Sequence, residues 1–455
     1  MIQDTLSAKD GNVFDCIEAL KTNSGSGSFS TRRDSDTGPA CGMGGGSAGN
    51  LVGIPLKMCT LINSWEGFDT LKLAAELHAE IGSPTGILAQ TVDIVMCRFD
   101  ILGGLHVSKR RFSKFLVSLE AEYGMPDYHT AVHAADVVQA VGFMLSEGLY
   151  DQISDLHAFA LVVAAAAHDV GHPGLNNAFL ISTESNEAQR WNEVSVNENG
   201  HLYTVLGLLQ RHKVLESFTP ADKQSFKAML RRLVLHTDME KHSQLITDFV
   251  AMATETIAAT ATAAAEGASD TEVDHGDASS KGNGDAEVES AGGVAPLLGH
   301  GGVARKAKSV TMMGLIRGPS AENLGAPPVR DWVDPGLALC YVLHCADISN
   351  PARPFALAHR WGEKITEEFY KQGDKERELG IRVLAFYDRR LAKPGTVAAN
   401  QGNFIDFVCT PTFEALTTML PAAAGLMLYH LRLNREKYKA IADQAEAERR
   451  SGGGR

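Results

Sequence analysis

An unbroken apolar run, Ala158 to Ala167, stops abruptly on His168 and Asp169, and this restricts the fold of the chain more than any other feature. At about half of the roughly 20 residues a membrane span requires, it reads as a buried helix. A helix apolar on every side belongs inside a core. This one ends by delivering an imidazole and a carboxylate into that core, which is costly unless something compensates. A cation would compensate, because neutral imidazole and carboxylate are both good ligands; a satisfied structural pair is the alternative. Gly171 and Pro173-Gly174 then form a turn able to bring His172 back towards the same place.

The periodicity elsewhere is helical. Phe226, Met229, Leu230, Leu233 and Val234 form one stripe after Thr219-Pro220, with Thr219 as N-cap and Pro220 at the first helical position. Asp334-Pro335 opens another helix, Leu337 to Ala346, and Pro351 prevents its continuation. Leu357, Trp361, Ile365 and Phe369 mark a further face, ended by Gly373. No strand-type alternation competes, so the fold class is all-α. Residues 22–50 and 254–307 are Gly/Ser/Thr- and Ala/Gly/acid-rich stretches that cannot bury enough surface to offset ordering entropy. The expected organisation is a largely disordered segment over 1–60, one helical unit over 61–440 interrupted by a disordered insertion at about 254–307, and a polar tail over 441–455.

Composition removes several function classes. The net charge of −13 argues against nucleic-acid binding through bulk positive charge and against a polybasic membrane anchor. The 7 cysteines are scattered without a C-x-x-C, which fits a reducing, cytoplasmic setting better than a disulfide framework. The N-terminus has no basic region followed by an apolar core, so a soluble intracellular protein is expected.

Two further segments carry chemistry. In Tyr128-His129-Thr130-Ala131-Val132-His133-Ala134-Ala135-Asp136, a helical reading puts His129 and His133 one turn apart on one face, with Asp136 three residues on. Two histidines so spaced can share a metal, or be ordinary core and surface residues. In His344-Cys345-Ala346-Asp347-Ile348-Ser349-Asn350-Pro351, an apolar helix again ends on a carboxylate before a breaker. A lone Asp there is more often a helix-end hydrogen-bonding residue. The conjunction shifts the balance: His133, His168, Asp169 and Asp347 form a mixed N/O set that suits zinc or a similar divalent ion with open positions.

With these segments, and with His236-Thr237-Asp238-Met239-Glu240-Lys241-His242 and Gln401-Gly402-Asn403-Phe404-Ile405-Asp406-Phe407, the chain resembles the class I 3′,5′-cyclic-nucleotide phosphodiesterase catalytic domain of the HD metal-hydrolase superfamily. The resemblance runs from about Trp65 to Leu433. It implies that His133, His168, Asp169 and Asp347 hold a first metal, usually zinc, and that Asp169 bridges to a second, usually magnesium (manganese is the variant), with a water-rich shell. His172, Glu198 and Asp238 would hold those waters and orient the ligands. A metal-bridging hydroxide would attack the cyclic phosphodiester while His129, as general acid, gives its proton to the leaving O3′. Glu198 or Asp347 is expected to favour the charged imidazole. Gln401 would hold the purine edge between Ile365 and Phe404, with Tyr128 and Asn350 also lining the pocket. The implied partner is a cyclic nucleotide, cAMP somewhat favoured and cGMP also accommodated, with no nucleic acid and no membrane span; oligomeric state is open. Another HD-type phosphohydrolase, or a non-catalytic metal-stabilised cyclic-nucleotide-binding scaffold, is the alternative.

Overall fold

The computed structural model describes residues 54–81, 86–269 and 329–452. The chain divides into two compact units, Met1–Glu255 with Pro328–Arg455, and Thr256–Pro327. The described residues are helical and contain no strand, as the periodicity requires. In chain order the helices are α1 (Ile54–Leu61), α2 (Thr70–Ile81), α3 (Ile87–Arg98), α4 (Lys109–Ala121), α5 (Ala131–Met144), α6 (Asp155–Ala167) and α7 (Val196–Arg211). They continue with α8 (Pro220–Leu235), α9 (His242–Ser269), α10 (Pro335–Asp347), α11 (Phe355–Glu378), α12 (Thr396–Phe404), α13 (Thr410–Leu416) and α14 (Pro421–Gly452), joined by shorter helical turns. No helix among the described residues is long and apolar enough to cross a membrane.

Local chemistry sets several of the starts. Thr219 Oγ1 accepts from the Asp222 backbone N–H at 3.1 Å, and Pro220 opens α8. Asp334 Oδ1 accepts from Leu337 N–H at 3.0 Å ahead of α10, whose first residue is Pro335. Every residue from Ala158 to Ala167 is buried, so α6 is the central helix its composition demands. Helices α5, α6 and α10 pack on one another, with α3 against α5 and α8 against both α6 and α10.

Five expectations change. His129 is not on a helix: α5 begins at Ala131, with Thr130 as its extended N-cap. Helix α11 does not end at Gly373 but runs to Glu378. That glycine serves close approach, since a Cβ there would collide with the Tyr387 carbonyl, and one glycine costs only about 1 kcal/mol in a packed helix. Residues 254–269 belong to α9, because Ala, Thr and Glu sustain a helix until glycines become frequent; the insertion from 270 to 307 lies outside the described residues. The expected polar tail is the end of α14 as far as Gly452. It is rich in Ala, Glu and Arg and supported by Gln444–Glu448 and Glu446–Arg450 contacts one turn apart. Residues 1–53 also lie outside the described residues, whereas 54–60 are helical.

Candidate active site

The ends of three packed helices meet at one point. His133 lies in the first turn of α5, His168 caps α6 with Asp169 next to it, and Asp347 is the last residue of α10. His133 Nε2 is 3.0 Å from Asp347 Oδ1 and 3.5 Å from Asp169 Oδ2. His168 Nε2 is 3.0 Å from Asp169 Oδ2 and 3.2 Å from Asp347 Oδ1. All four donor atoms fall within 4.8 Å of one another.

The donor set fits a cation on chemical grounds. His168 Nδ1 sits 2.9 Å from the Ala165 carbonyl, which only accepts, so the neutral ring carries its proton there and turns its Nε2 lone pair inward. That lone pair faces carboxylate oxygens, acceptor against acceptor, in a buried place. A divalent ion between them resolves the conflict, and the mixed N/O set suits one. With protons as the only cations, burial opposes a charge on His168, yet Asp169 and Asp347 outweigh it and push its pKa well above the usual value. Burial likewise opposes ionisation of Asp169 and Asp347, and His168 chiefly overcomes it, holding both below the usual carboxylate range.

His129 stands beside this cluster, not in it. Its ring lies 5.9 Å from that of His133, edge-on, and 4.0 Å from that of His172, stacked. His129, His172 and Glu368 also bring donor atoms within 4.8 Å of one another. Imidazole lone pairs lie in the ring plane, however, so two stacked rings cannot aim at a common ion. The arrangement suits the holding of a proton instead. Glu368 is buried, accepts from the backbone N–H groups of Tyr128 at 2.7 Å and His129 at 3.2 Å, and contacts His129 Nδ1. Burial disfavours a charged His129, but Asp169 and Glu368 prevail and raise its pKa. His172 goes the other way: burial and then His129 keep it well below the usual histidine range, hence neutral.

The cluster opens into a cavity of about 540 Å³. Asp169 and Asp347 form part of its wall, while His133 and His168 are fully buried behind them. His129, His172, Glu198 and Asp238 line it as well. Glu198 accepts from Asn177 Nδ2 at 3.0 Å; burial and then Asp238 push its pKa up to about 7. Asp238 accepts from Ser195 Oγ at 2.7 Å. The purine-pocket candidates Tyr128, Asn350, Ile365, Gln401 and Phe404 share this cavity. Gln401 makes no hydrogen bond through its carboxamide to any described residue. Asn350 differs: its Nδ2 donates to Asp136 at 2.7 Å and its Oδ1 accepts from the Tyr128 hydroxyl. Asp136 thus points away from the cluster, into a buried group with Thr70 and Arg353.

Two residues went unread in the sequence. Glu368, not Glu198, is the carboxylate on His129, with Asp347 a lesser contributor. A signal existed, since Glu368 falls on the Trp361–Ile365 face of α11, where an acid is necessarily buried. His201 is the other. Its Nδ1 faces the Val170 carbonyl at 2.7 Å, its Nε2 lies 3.9 Å from Asp169 Oδ1, and burial lowers its pKa to about 4. Nothing in its local sequence distinguishes it from a core histidine.

Comparison with known proteins agrees with this geometry. The family described as 3'5'-cyclic nucleotide phosphodiesterase matches residues 128–430. The chain is 29% identical over 382 residues to 3',5'-cyclic-AMP phosphodiesterase 4C of Rattus norvegicus, covering 83% of this chain and 58% of the relative. The Mus musculus protein of the same name is 29% identical, with 83% and 45% covered. A Drosophila melanogaster 3',5'-cyclic-AMP phosphodiesterase, isoform F, is 28% identical, with 75% and 42% covered. The chain therefore spans about half the length of these curated relatives. The same fold occurs in the phosphodiesterase domain of a rhodopsin phosphodiesterase from Salpingoeca rosetta. Its two structures each give a TM-score of 0.63, at 19% and 20% identity, covering 87% and 88% of this chain and 99% and 98% of theirs. With the match over residues 128–430, this chain belongs to the 3'5'-cyclic nucleotide phosphodiesterase family.

Proposed function

We propose that the protein hydrolyses 3′,5′-cyclic nucleotides to 5′-monophosphates in a metal-dependent reaction, with cAMP the favoured substrate and cGMP a second one. The observation that carries this is one cavity onto which three things converge: a four-donor cluster suited to a cation, a histidine whose charged form Asp169 and Glu368 favour, and a carboxamide that no described residue hydrogen-bonds. His133, His168, Asp169 and Asp347 would hold a zinc ion, and Asp169, with His172, Glu198 and Asp238, would serve a magnesium ion, a harder cation that keeps more of its water. When bound, the ions supply charge neutralisation at the phosphoryl group and a nucleophile active at neutral pH.

The remaining work belongs to the chain. Glu368 holds Nδ1–H of His129, which leaves Nε2–H to be given to the departing O3′. Stacking of the neutral His172 on His129 fixes the plane of the acid. Phe404 and Ile365 supply apolar faces for the purine, and the Gln401 amide offers both a donor and an acceptor to its edge. Asn350 is already engaged by Asp136 and Tyr128, so it braces the Tyr128 wall. The preference for cAMP rests on the names of the relatives, not on Asn350.

The test is direct. Purified protein should hydrolyse cAMP, lose activity to a chelator and regain it with zinc and magnesium. Asp347→Asn should lose bound metal and turnover together. His129→Ala should keep its metal and lose about 10²–10⁴ in kcat. Full turnover after exhaustive metal removal, or loss of metal in His129→Ala, would overturn the assignment.

A further inference from the structure

Helix α11 carries a buried glycine, Gly362, in its interior. Such a residue costs about 0.5–1 kcal/mol relative to alanine, so the position calls for a reason in space. A Cβ placed on Gly362 would lie 3.0 Å from Gln401 Cδ, 3.1 Å from its Cγ and 3.3 Å from its Oε1. These three atoms are the nearest to it, so Gln401 is the first side chain it would meet. Gln401 is itself 9% exposed, and no described residue hydrogen-bonds its carboxamide. Contact, not hydrogen bonding, therefore decides where that carboxamide sits. Gln401 lines the cavity together with Gly362, Ile365 and Phe404.

We propose that Gly362 is a positioning residue for Gln401, its missing Cβ setting how far the carboxamide withdraws from the cavity and so the room left for a purine base. The inference rests on the cyclic-nucleotide reading above and extends it to a residue that need not touch substrate. A Cβ at 362 requires Gln401 to give by a few tenths of an ångström, which shifts the amide a base would meet. The metal cluster is built from other helices, and Glu368, further along α11, keeps its own bonds to Tyr128 and His129, so binding changes and chemistry does not.

The experiment is a double-mutant cycle with Gly362→Ala, Gln401→Ala and the pair, read with cAMP as substrate and by thermal melting. Gly362→Ala should raise KM roughly three- to tenfold and leave kcat within about twofold. In the Gln401→Ala background, where the obstructing atoms are gone, Gly362→Ala should change KM by less than about twofold. An unchanged KM in the single variant, or an equal rise in both backgrounds, overturns the proposal. Melting temperatures read the same contact without substrate. Gly362→Ala should be more favourable in the Gln401→Ala background than in the wild type, and additive shifts overturn the contact. If Gly362→Ala does not fold, a folded double variant supports the proposal and an unfolded one refutes it. Wild-type protein inert towards cyclic nucleotides would sink the functional reading instead, which the melting cycle does not depend on.

Discussion

Replacing Glu368 with glutamine removes one negative charge beside His129 Nδ1 and leaves one acceptor oxygen where two served, Oε1 on Nδ1 and Oε2 on the Tyr128 and His129 N–H groups. Glu368 is 4% exposed, so water neither screens the charge nor replaces it. A hydrogen bond to a charged partner is worth about 1.5–3 kcal/mol, against about 0.5–1.5 kcal/mol for a neutral one. The difference is on the order of 1–1.5 kcal/mol, and about 1.4 kcal/mol corresponds to one pKa unit. Asp169 and Asp347 remain and still favour the charged ring, so His129 should fall by about one unit or somewhat more. A general acid must be protonated, so the alkaline limb of the kcat/KM profile should move to lower pH by that amount, with metal content unchanged. Stability gives a second sign. Glu368 has a lowered pKa, so its share is present above about 4.5 and is lost as pH falls through the folded value. His129 has a raised pKa, so its share is present below about 6.5 and is lost as pH rises through the folded value. The melting penalty of Glu368→Gln should therefore be largest between those two pH values. An alkaline limb that stays put or moves upward would refute the reasoning.

Two further substitutions test the frame around the site. Burial pushes Asp93 up to about 7, and Lys109 only partly offsets it. A raised carboxyl loses stability as pH climbs from the ordinary carboxylate range towards that value, so Asp93→Asn should stabilise by on the order of 1–3 kcal/mol at neutral pH, the gain vanishing near pH 4 in urea titrations. Arg353 and Asp136 are both fully buried, 3.2 Å apart, with the guanidinium over the Trp65 ring. Arg353→Met should cost about 3–5 kcal/mol in urea unfolding by stranding the Asp136 charge, and a loss under about 1 kcal/mol would contradict the pairing.

The helical class, the α6 core helix and the cation cluster were legible because each has a local signature. Apolar period gives the helices, and an ionisable pair at the end of an apolar run gives His168 and Asp169. The turn at Gly171 and Gly174 was legible for the same reason: their φ values of +78° and +70° are ones glycine adopts readily. What stayed hidden depends on pairings distant in sequence. Glu368 reaches His129 across 239 residues, and Arg353 reaches Asp136 across 217. No local pattern announces such a pair until the helices are placed. Gly373 misled for a related reason, because a glycine that breaks a helix and one that admits a neighbour's backbone look alike in one dimension.

The position of the ligands explains why the site is so dependent on the core. His133, His168 and Asp347 lie at the ends of α5, α6 and α10, which pack against one another. Their mutual distances are therefore set by how closely those helices approach, and the alanines of α6 are what permit the approach. His168 is tied further by its bond to the Ala165 carbonyl in the last turn of α6. The acid is placed by a different device: His129 precedes α5, held by Glu368 from α11, the helix that also carries Gly362 and Ile365. Metal affinity should thus follow the packing of α5, α6 and α10, while proton transfer and base binding follow the seating of α11. On the proposed function the two halves of the reaction would be mechanically separable, so substitutions on α11 should alter the pH profile or KM and leave metal affinity alone.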